Sequence, residues 1–371
     1  MKFTCDKASL QEATNIVQKA AATNSTLTIL MGILITAKDN KIKLTCNNLD
    51  VAIECNINAQ IEKEGTVVVS SRLFFDIMKN LAGDLVHISV NDKFVTNITG
   101  GGSNYDILGI CAEEFPLLPT VEEETSLFLS QRELKELIRS TIFAAGTSEN
   151  KLILTGCLLK AEDNNIIMVA VDGYRLALRQ IQVKHDPPKT SFVIPARNLS
   201  ELNKIIADSD ENIQIIISNK NISFDFNGVR FVSRLLDGEF IDYEKIIPKS
   251  FTTTVRVRAA ELENAVERAS LIITNELVKS PLEISISQTG FEISCETQVG
   301  RSDECIYPEI IGEDLKIGFN HRYLLDAIKA CPEDEYYIGF GSNLNPCLLY
   351  PINGKNDFKY IILPVRLRSN G

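Results

Sequence analysis

The 371 residues carry 38 Lys and Arg against 49 Asp and Glu, a formal charge of -11, with 44% hydrophobic and 23% charged residues. That composition excludes a disordered chain, and the length calls for two or three cores of about 100 to 200 residues each. The acidic total argues against the broad basic footprint of a protein that grips nucleic acid by counterion release.

The N-terminus, Met1-Lys2-Phe3-Thr4-Cys5-Asp6, has no apolar leader core, and no stretch reaches the roughly 18 apolar residues of a membrane span. The expectation is a cytoplasmic chain without membrane contact. Nine cysteines are scattered without a Cys-x-x-Cys pair, and His87, His185 and His321 are far apart in sequence, so neither a metal site nor a cofactor is expected.

In chain order, apolar spacing predicts a helix over 10–22, a strand pair over 33–44, and a second helix beginning near Arg72. Gly100-Gly101-Gly102 lacks the Lys-Ser/Thr of a phosphate loop and reads as a hairpin turn. The same sequence of signals then returns. A helix is expected over 134–145, with Ser130 and Glu133 as a capping box, followed by strands over 157–168 and a helix at Arg197. A third copy has a helix over 262–273, strands over 282–295 turning at Thr289-Gly290, and a helix at Arg322.

The pattern Arg-x3-Asp/Glu-x2-Lys marks each second helix: Arg72, Asp76, Lys79; Arg197, Glu201, Lys204; Arg322, Asp326, Lys329, at 125-residue intervals. Glu114-Phe115 and Glu239-Phe240 repeat at the same spacing and lead into polar or Pro-bearing boundaries, one of them acidic at Glu122-Glu123-Glu124. The chain therefore reads as α+β, three tandem copies of one domain of two helices plus antiparallel sheet, over 1–124, 125–250 and 251–371. A C2 dimer would close six such domains into a ring with helices lining the hole and sheet edges hidden.

Each repeated triplet places its Arg and Lys about 10 Å apart on one helix face, with a net charge of only +1. Such a face suits weak, non-specific phosphate contact and equally suits a solvated surface. The acidic runs look like solvated loops, and no acid, base and nucleophile converge in the sequence, so an enzyme is not expected. The competing reading is a monomeric three-repeat scaffold that binds peptides and encircles nothing.

Three stretches carry a resemblance to a family: Thr155-Gly156-Cys157-Leu158 leading to Asp172-Gly173-Tyr174-Arg175-Leu176-Ala177; Leu236-Asp237-Gly238-Glu239-Phe240; and Tyr360-Ile361-Ile362-Leu363-Pro364-Val365-Arg366-Leu367. With them the whole chain resembles the bacterial DNA polymerase III beta subunit, the replicative sliding clamp. The resemblance implies a homodimeric ring around duplex DNA that confers processivity without sequence readout. Its partners would be the replicative polymerase catalytic subunit, the clamp loader, other polymerases, and mismatch-repair and ligase-type proteins. It implies cytoplasmic, nucleoid-associated work.

Carried over by motif, a peptide pocket would comprise Leu154, Gly173, Tyr174, Arg175, Leu176, Ile241, Lys245, Ile246, Val278, Asn320, Tyr323 and Leu344. Ile361, Ile362, Leu363, Pro364, Val365, Arg366 and Leu367 would complete it. Facing DNA would be Arg72, Lys79, Lys151, Arg197, Lys204, Arg322 and Lys329. The dimer seam would join Tyr105 and Ile107 to Ile272 and Ile273. Two departures stand out: Arg368-Ser369-Asn370-Gly371 follows Leu367, where family members often end, and the loop Thr23-Asn24-Ser25-Thr26 lacks the arginine that family members often offer to DNA.

Overall fold

Asp6 accepts a 2.7 Å hydrogen bond from the Ser9 amide and so caps the first helix, α1, Lys7–Val17. Ser70 caps α2, Ser71–Asn80, and Asn320 caps α6, His321–Ala330. Between them lie α3, Gln131–Arg139, α4, Ala196–Asn203, and α5, Ala259–Ser270. The computed structural model describes residues 1–116, 118, 121, 125–184, 187–273, 280–353 and 357–367.

The six helices fall where the repeat predicts, but three are shorter at their C-terminal ends. In place of 10–22, 134–145 and 262–273 the chain forms α1, α3 and α5, with separate short turns at Gln18–Ala20 and Ile142–Ala144. Behind α3 the break is local: Thr141 takes a non-helical backbone, which divides what apolar spacing alone reads as continuous.

The chain divides into two compact units, one of Met1–Arg132 with Lys204–Leu235, the other of Glu133–Asn203 with Leu236–Gly371. The division runs through the second repeat. In the first unit the described strands form one antiparallel sheet of thirteen. It joins the strands of the first repeat to Thr125–Ser130, Asn212–Ile217, Asn221–Phe226 and Val229–Arg234 of the second. The join is the pairing of Val229–Arg234 with Val51–Asn58. α1 and α2 pack on each other, α1 covering Val51–Asn58, and Leu10, Phe74, Met78, Leu44 and Ile53 are buried.

In the second unit a nine-stranded sheet joins Arg175–Gln182 of the second repeat to Phe358–Ile362 of the third, and a four-stranded sheet lies against α5, which also packs on α6. The hairpins over 33–44 and 157–168 turn at Asp39-Asn40 and Asp163-Asn164, all four residues at positive φ, the backbone of a tight two-residue hairpin. Gly101 and Gly102, also at positive φ, close the hairpin of Val95–Gly100 with Ser103–Ile110.

The segment 236–251, polar and Pro-bearing at its end, is not a bare linker. Tyr243 belongs to a buried cluster with Leu154, Leu158, Val169, Leu176 and Ile361, and Phe240, Ile241, Ile247 and Phe251 pack against it. Phe251 stacks on Tyr350 at 5.7 Å, seated over Gly339, where a side-chain carbon would collide with the ring.

Candidate functional site

Two short turns prepare the joins between repeats, and they are built alike. In the second unit the Asp172 Oδ1 accepts hydrogen bonds from the amides of Tyr174 and Arg175, at 2.8 and 3.0 Å. Gly173 sits at φ +93. The Leu363 amide donates 2.9 Å to the Tyr174 carbonyl, and the ladder continues as Arg175 opposite Ile362 and Leu176 opposite Ile361. In the first unit Asn48 Oδ1 accepts from Asp50 and Val51 at 3.0 and 2.8 Å, Leu49 stands at φ +76, and the Arg234 amide donates 3.0 Å to the Asp50 carbonyl. An Asx turn thus starts each receiving strand and aligns the strand it pairs with.

Only the second turn carries aromatic and cationic side chains. Arg175 donates through Nε to Asp172 at 3.0 Å and through Nη1 to Asp326 of α6 at 2.5 Å. Its guanidinium lies 4.5 Å from the ring centre of Tyr323 and 5.6 Å from that of Phe143. Tyr323 stacks on Tyr174 with centroids 6.0 Å apart, and burial holds its phenol neutral, above the ordinary tyrosine range, with Asp172 acting in the same direction.

The residues expected to form a peptide pocket separate into a floor and a rim. Leu154, Leu176, Ile361 and Ile362 are buried, Leu176 and Ile361 to 1% exposure, and they act as sheet core. Tyr174 at 62%, Leu344 at 70%, Leu363 at 40%, Ile246 and Val365 are exposed. Ile241 packs on the buried cluster, and Lys245 points to solvent, where its hydrogen bond to Asp242 raises its pKa. Asn320 accepts 3.0 Å from the Arg322 amide as the cap of α6, one turn from Tyr323.

The last described segment is fixed by Val365, whose amide donates 2.8 Å to the Gly318 carbonyl. Leu367 lies over Gly318, where any side chain would meet it, while Pro364 is half-buried and Arg366 exposed. Val278 and 368–371 lie outside the described residues, as do His185 and Glu122-Glu123-Glu124. Phe143 and the two carboxylates of the Arg175 web were absent from the residues expected to line this site. The spacing of the repeats carries no signal for Phe143.

The basic residues of the repeated triplets are exposed but not equivalent. Arg72, Asp76 and Lys79 lie on the outer face of α2, and Arg197 on α4, whereas Lys204 falls one residue beyond its end. In the third copy Asp326 turns to Arg175, and Lys329 bonds Glu267 of α5 at 2.6 Å with Glu263 at 3.9 Å. Lys329 therefore has much of its charge matched within the unit. Arg322 is exposed, and so is Lys151, in an irregular segment of the Glu149–Thr155 turn.

Of the residues expected at a dimer seam, Tyr105 is 38% exposed and Ile107 is buried, so Ile107 also serves the core, while Ile272 and Ile273 are half-buried. A feature missed in the sequence lies beside them. Among the described strands Ser103–Leu108 pairs on one side only, and Gly300–Ile306 ends the four-stranded sheet with a single neighbour. Leu108, Leu271, Val299 and Tyr307 are strongly exposed next to these two edges.

Among the described residues no group of His, Cys, Asp and Glu is placed to hold a metal ion, and no helix is long and apolar enough to cross a membrane. The family profiles of the DNA polymerase III beta subunit match most of the chain: the N-terminal domain over 1–119, the central domain over 128–242 and the C-terminal domain over 244–366. The beta sliding clamp of Staphylococcus epidermidis is 34% identical, with 99% of each chain covered, and that of Staphylococcus aureus is 33% identical over the same shares. The crystal structure of the Bacillus subtilis DNA polymerase sliding clamp superposes with a TM-score of 0.95 at 34% identity, covering 99% of this chain and 100% of that one. A putative DNA polymerase III beta subunit from Eubacterium rectale gives 0.94 at 34% identity, covering 98% and 99%. This chain belongs to the DNA polymerase III beta subunit family, the bacterial sliding clamps, which are processivity factors of replication and not enzymes.

Proposed function

We propose that the chain acts as a homodimeric DNA sliding clamp that tethers replication proteins through the groove around Tyr174, Arg175, Tyr323 and Leu363. The observation that carries the groove is the join of Arg175–Gln182 to Phe358–Ile362. It sets exposed apolar side chains of two repeats around one buried floor. Such a surface suits short linear peptides, because each apolar anchor it buries contributes about 1.5–3 kcal/mol while the Arg175 web fixes orientation. The clients are the replicative polymerase catalytic subunit, the clamp loader, other polymerases, and mismatch-repair and ligase-type proteins.

The ring closes head to tail, six repeats in two protomers. The open edge at Ser103–Leu108 of one protomer pairs with the edge at Gly300–Ile306 of its partner, since unpaired edges flanked by exposed Leu108 and Val299 would otherwise invite aggregation. Duplex DNA is then held by topology. Arg72, Lys79, Lys151, Arg197, Lys204 and Arg322 add weak, slidable phosphate contacts, and Lys329 adds less because of Glu267. Work at the nucleoid follows from this role.

Two measurements test the reading. Leu363→Ala and Tyr174→Ala should weaken capture of the replicative polymerase catalytic subunit with melting temperature and dimer mass unchanged, because both side chains are exposed; unchanged capture removes the groove. Clamp loaded on nicked circular DNA should be lost when the circle is cut, and persistence on the linear product, or a solution mass of one 41.2 kDa chain, removes the ring.

A further inference from the structure

Asp326 occupies the acidic position of the third Arg-x3-Asp/Glu-x2-Lys helix, where helical spacing offers Arg322 and Lys329 as partners. Its oxygen instead meets the guanidinium of Arg175, 151 residues away in sequence, while Lys329 turns to Glu267. Arg175 is thus held between Asp172 and Asp326 with its guanidinium carbon 4.5 Å from the Tyr323 ring centre, and Tyr323 in turn stacks on Tyr174.

We propose that Asp326 is a positioning residue of the peptide groove. It ties α6 to the Asp172–Arg175 turn, holds the Arg175 guanidinium over Tyr323, and thereby fixes the Tyr174–Tyr323 pair as a rigid wall for an incoming apolar peptide. A planar guanidinium held by two carboxylates can serve this purpose because its donors lie in a fixed plane that orients whatever stacks on it. A wall already ordered costs the ligand less entropy on binding than one it must order itself.

The first unit supplies the contrast. Its equivalent turn has Asp50 and Val51 where the second has Tyr174 and Arg175, and the cavity of about 260 Å³ beside it is lined by Asn47, Leu49, Asp50, Val51, Val232 and Arg234 among others, with no aromatic side chain. The backbone device is shared; the stacked, ion-paired wall is not.

The inference rests on the groove reading above, and the full-length protein separates the two. Capture of the replicative polymerase catalytic subunit would be followed by surface plasmon resonance for wild type, Asp326→Asn, Asp326→Glu and Tyr174→Ala. The Tyr174 environment would be read by fluorine NMR of fluorotyrosine-labelled protein, with Tyr174→Phe to assign the signal. Asp326→Asn should speed dissociation about 10-fold and move the Tyr174 resonance toward the position of an unstacked tyrosine, with melting temperature held; Asp326→Glu should restore most of both. If Tyr174→Ala weakens capture but Asp326→Asn changes neither dissociation nor the resonance, the positioning role is overturned and the groove stands. If Tyr174→Ala leaves capture intact, the groove itself falls, and the positioning role with it.

Discussion

The turn at Asn48–Val51 and the turn at Asp172–Arg175 do the same backbone work in their separate units. Each uses an Asx side chain to cap two amides, a positive φ at its second residue, and a carbonyl that receives the incoming strand. They differ in what they display. Leu49, Asp50 and Val51 leave a plain seam, whereas Gly173, Tyr174 and Arg175 build an aromatic wall pinned by two carboxylates. A duplicated scaffold keeps its joins through backbone hydrogen bonds, which are blind to most side chains. One copy of the join can then acquire a site without disturbing the architecture.

The largest test of that equivalence lies under the strands. Ile361→Ala removes a fully buried side chain and should cost about 2–5 kcal/mol in urea denaturation, whereas Val232→Ala, at the matching place in the first join, should cost less because fewer methyl groups leave the core. Equal losses would mean that the joins are not packed as alike as their ladders suggest. For the same reason Ile361 and Ile362 are poor probes of peptide capture, although the resemblance counts them in the expected pocket.

Next in size are the caps. Asp172→Ala should destabilise by about 1.5–3 kcal/mol, since it uncaps two amides and leaves Arg175 with one carboxylate, while Asn48→Ala should cost about 1 kcal/mol. Asp172→Asn restoring most of the loss would assign it to the turn; failure to restore it would assign it to the ion pair. The second residue of each turn should respond with opposite sign. Gly173→Ala forces a side chain into a left-handed backbone and costs about 1 kcal/mol, whereas Leu49→Gly relieves the same strain and should be neutral or stabilising.

The smallest effect is the pH dependence of one ion pair in the second unit. A hydrogen bond from Lys160 holds the Glu162 carboxyl below the usual carboxylate range, and Glu162 raises Lys160 in return. A depressed carboxyl contributes stability above its unfolded value and loses it as pH falls through its folded value. Acid titration of thermal stability should therefore flatten slightly in Glu162→Gln below the ordinary carboxylate range. An unchanged profile would show that solvent screens the pair to nothing.

Much of the fold was legible because its signals are local. The 125-residue recurrence of the second helices and the Gly100-Gly101-Gly102 hairpin turn are each set within a few residues, and each lies where the sequence places it. Helix ends were less legible, since the chain leaves helical backbone at Thr141, a change that periodicity does not register. The site was half legible. Tyr174, Arg175 and Tyr323 follow from motif resemblance, but the partner of Asp326 does not, because within its own helix Arg322 and Lys329 offer equal and nearer charges.

By itself the sequence determined three copies of one α+β unit and the family to which the chain belongs, because repetition and motif are written in neighbouring residues. Tertiary structure alone decided which apolar residues of the C-terminal stretch are floor and which are rim, which sheet edges stay open, and where the carboxylate of α6 is spent. Those outcomes depend on strands and helices more than 100 residues apart meeting in one register, and alternation along a single strand cannot say which neighbour it will find.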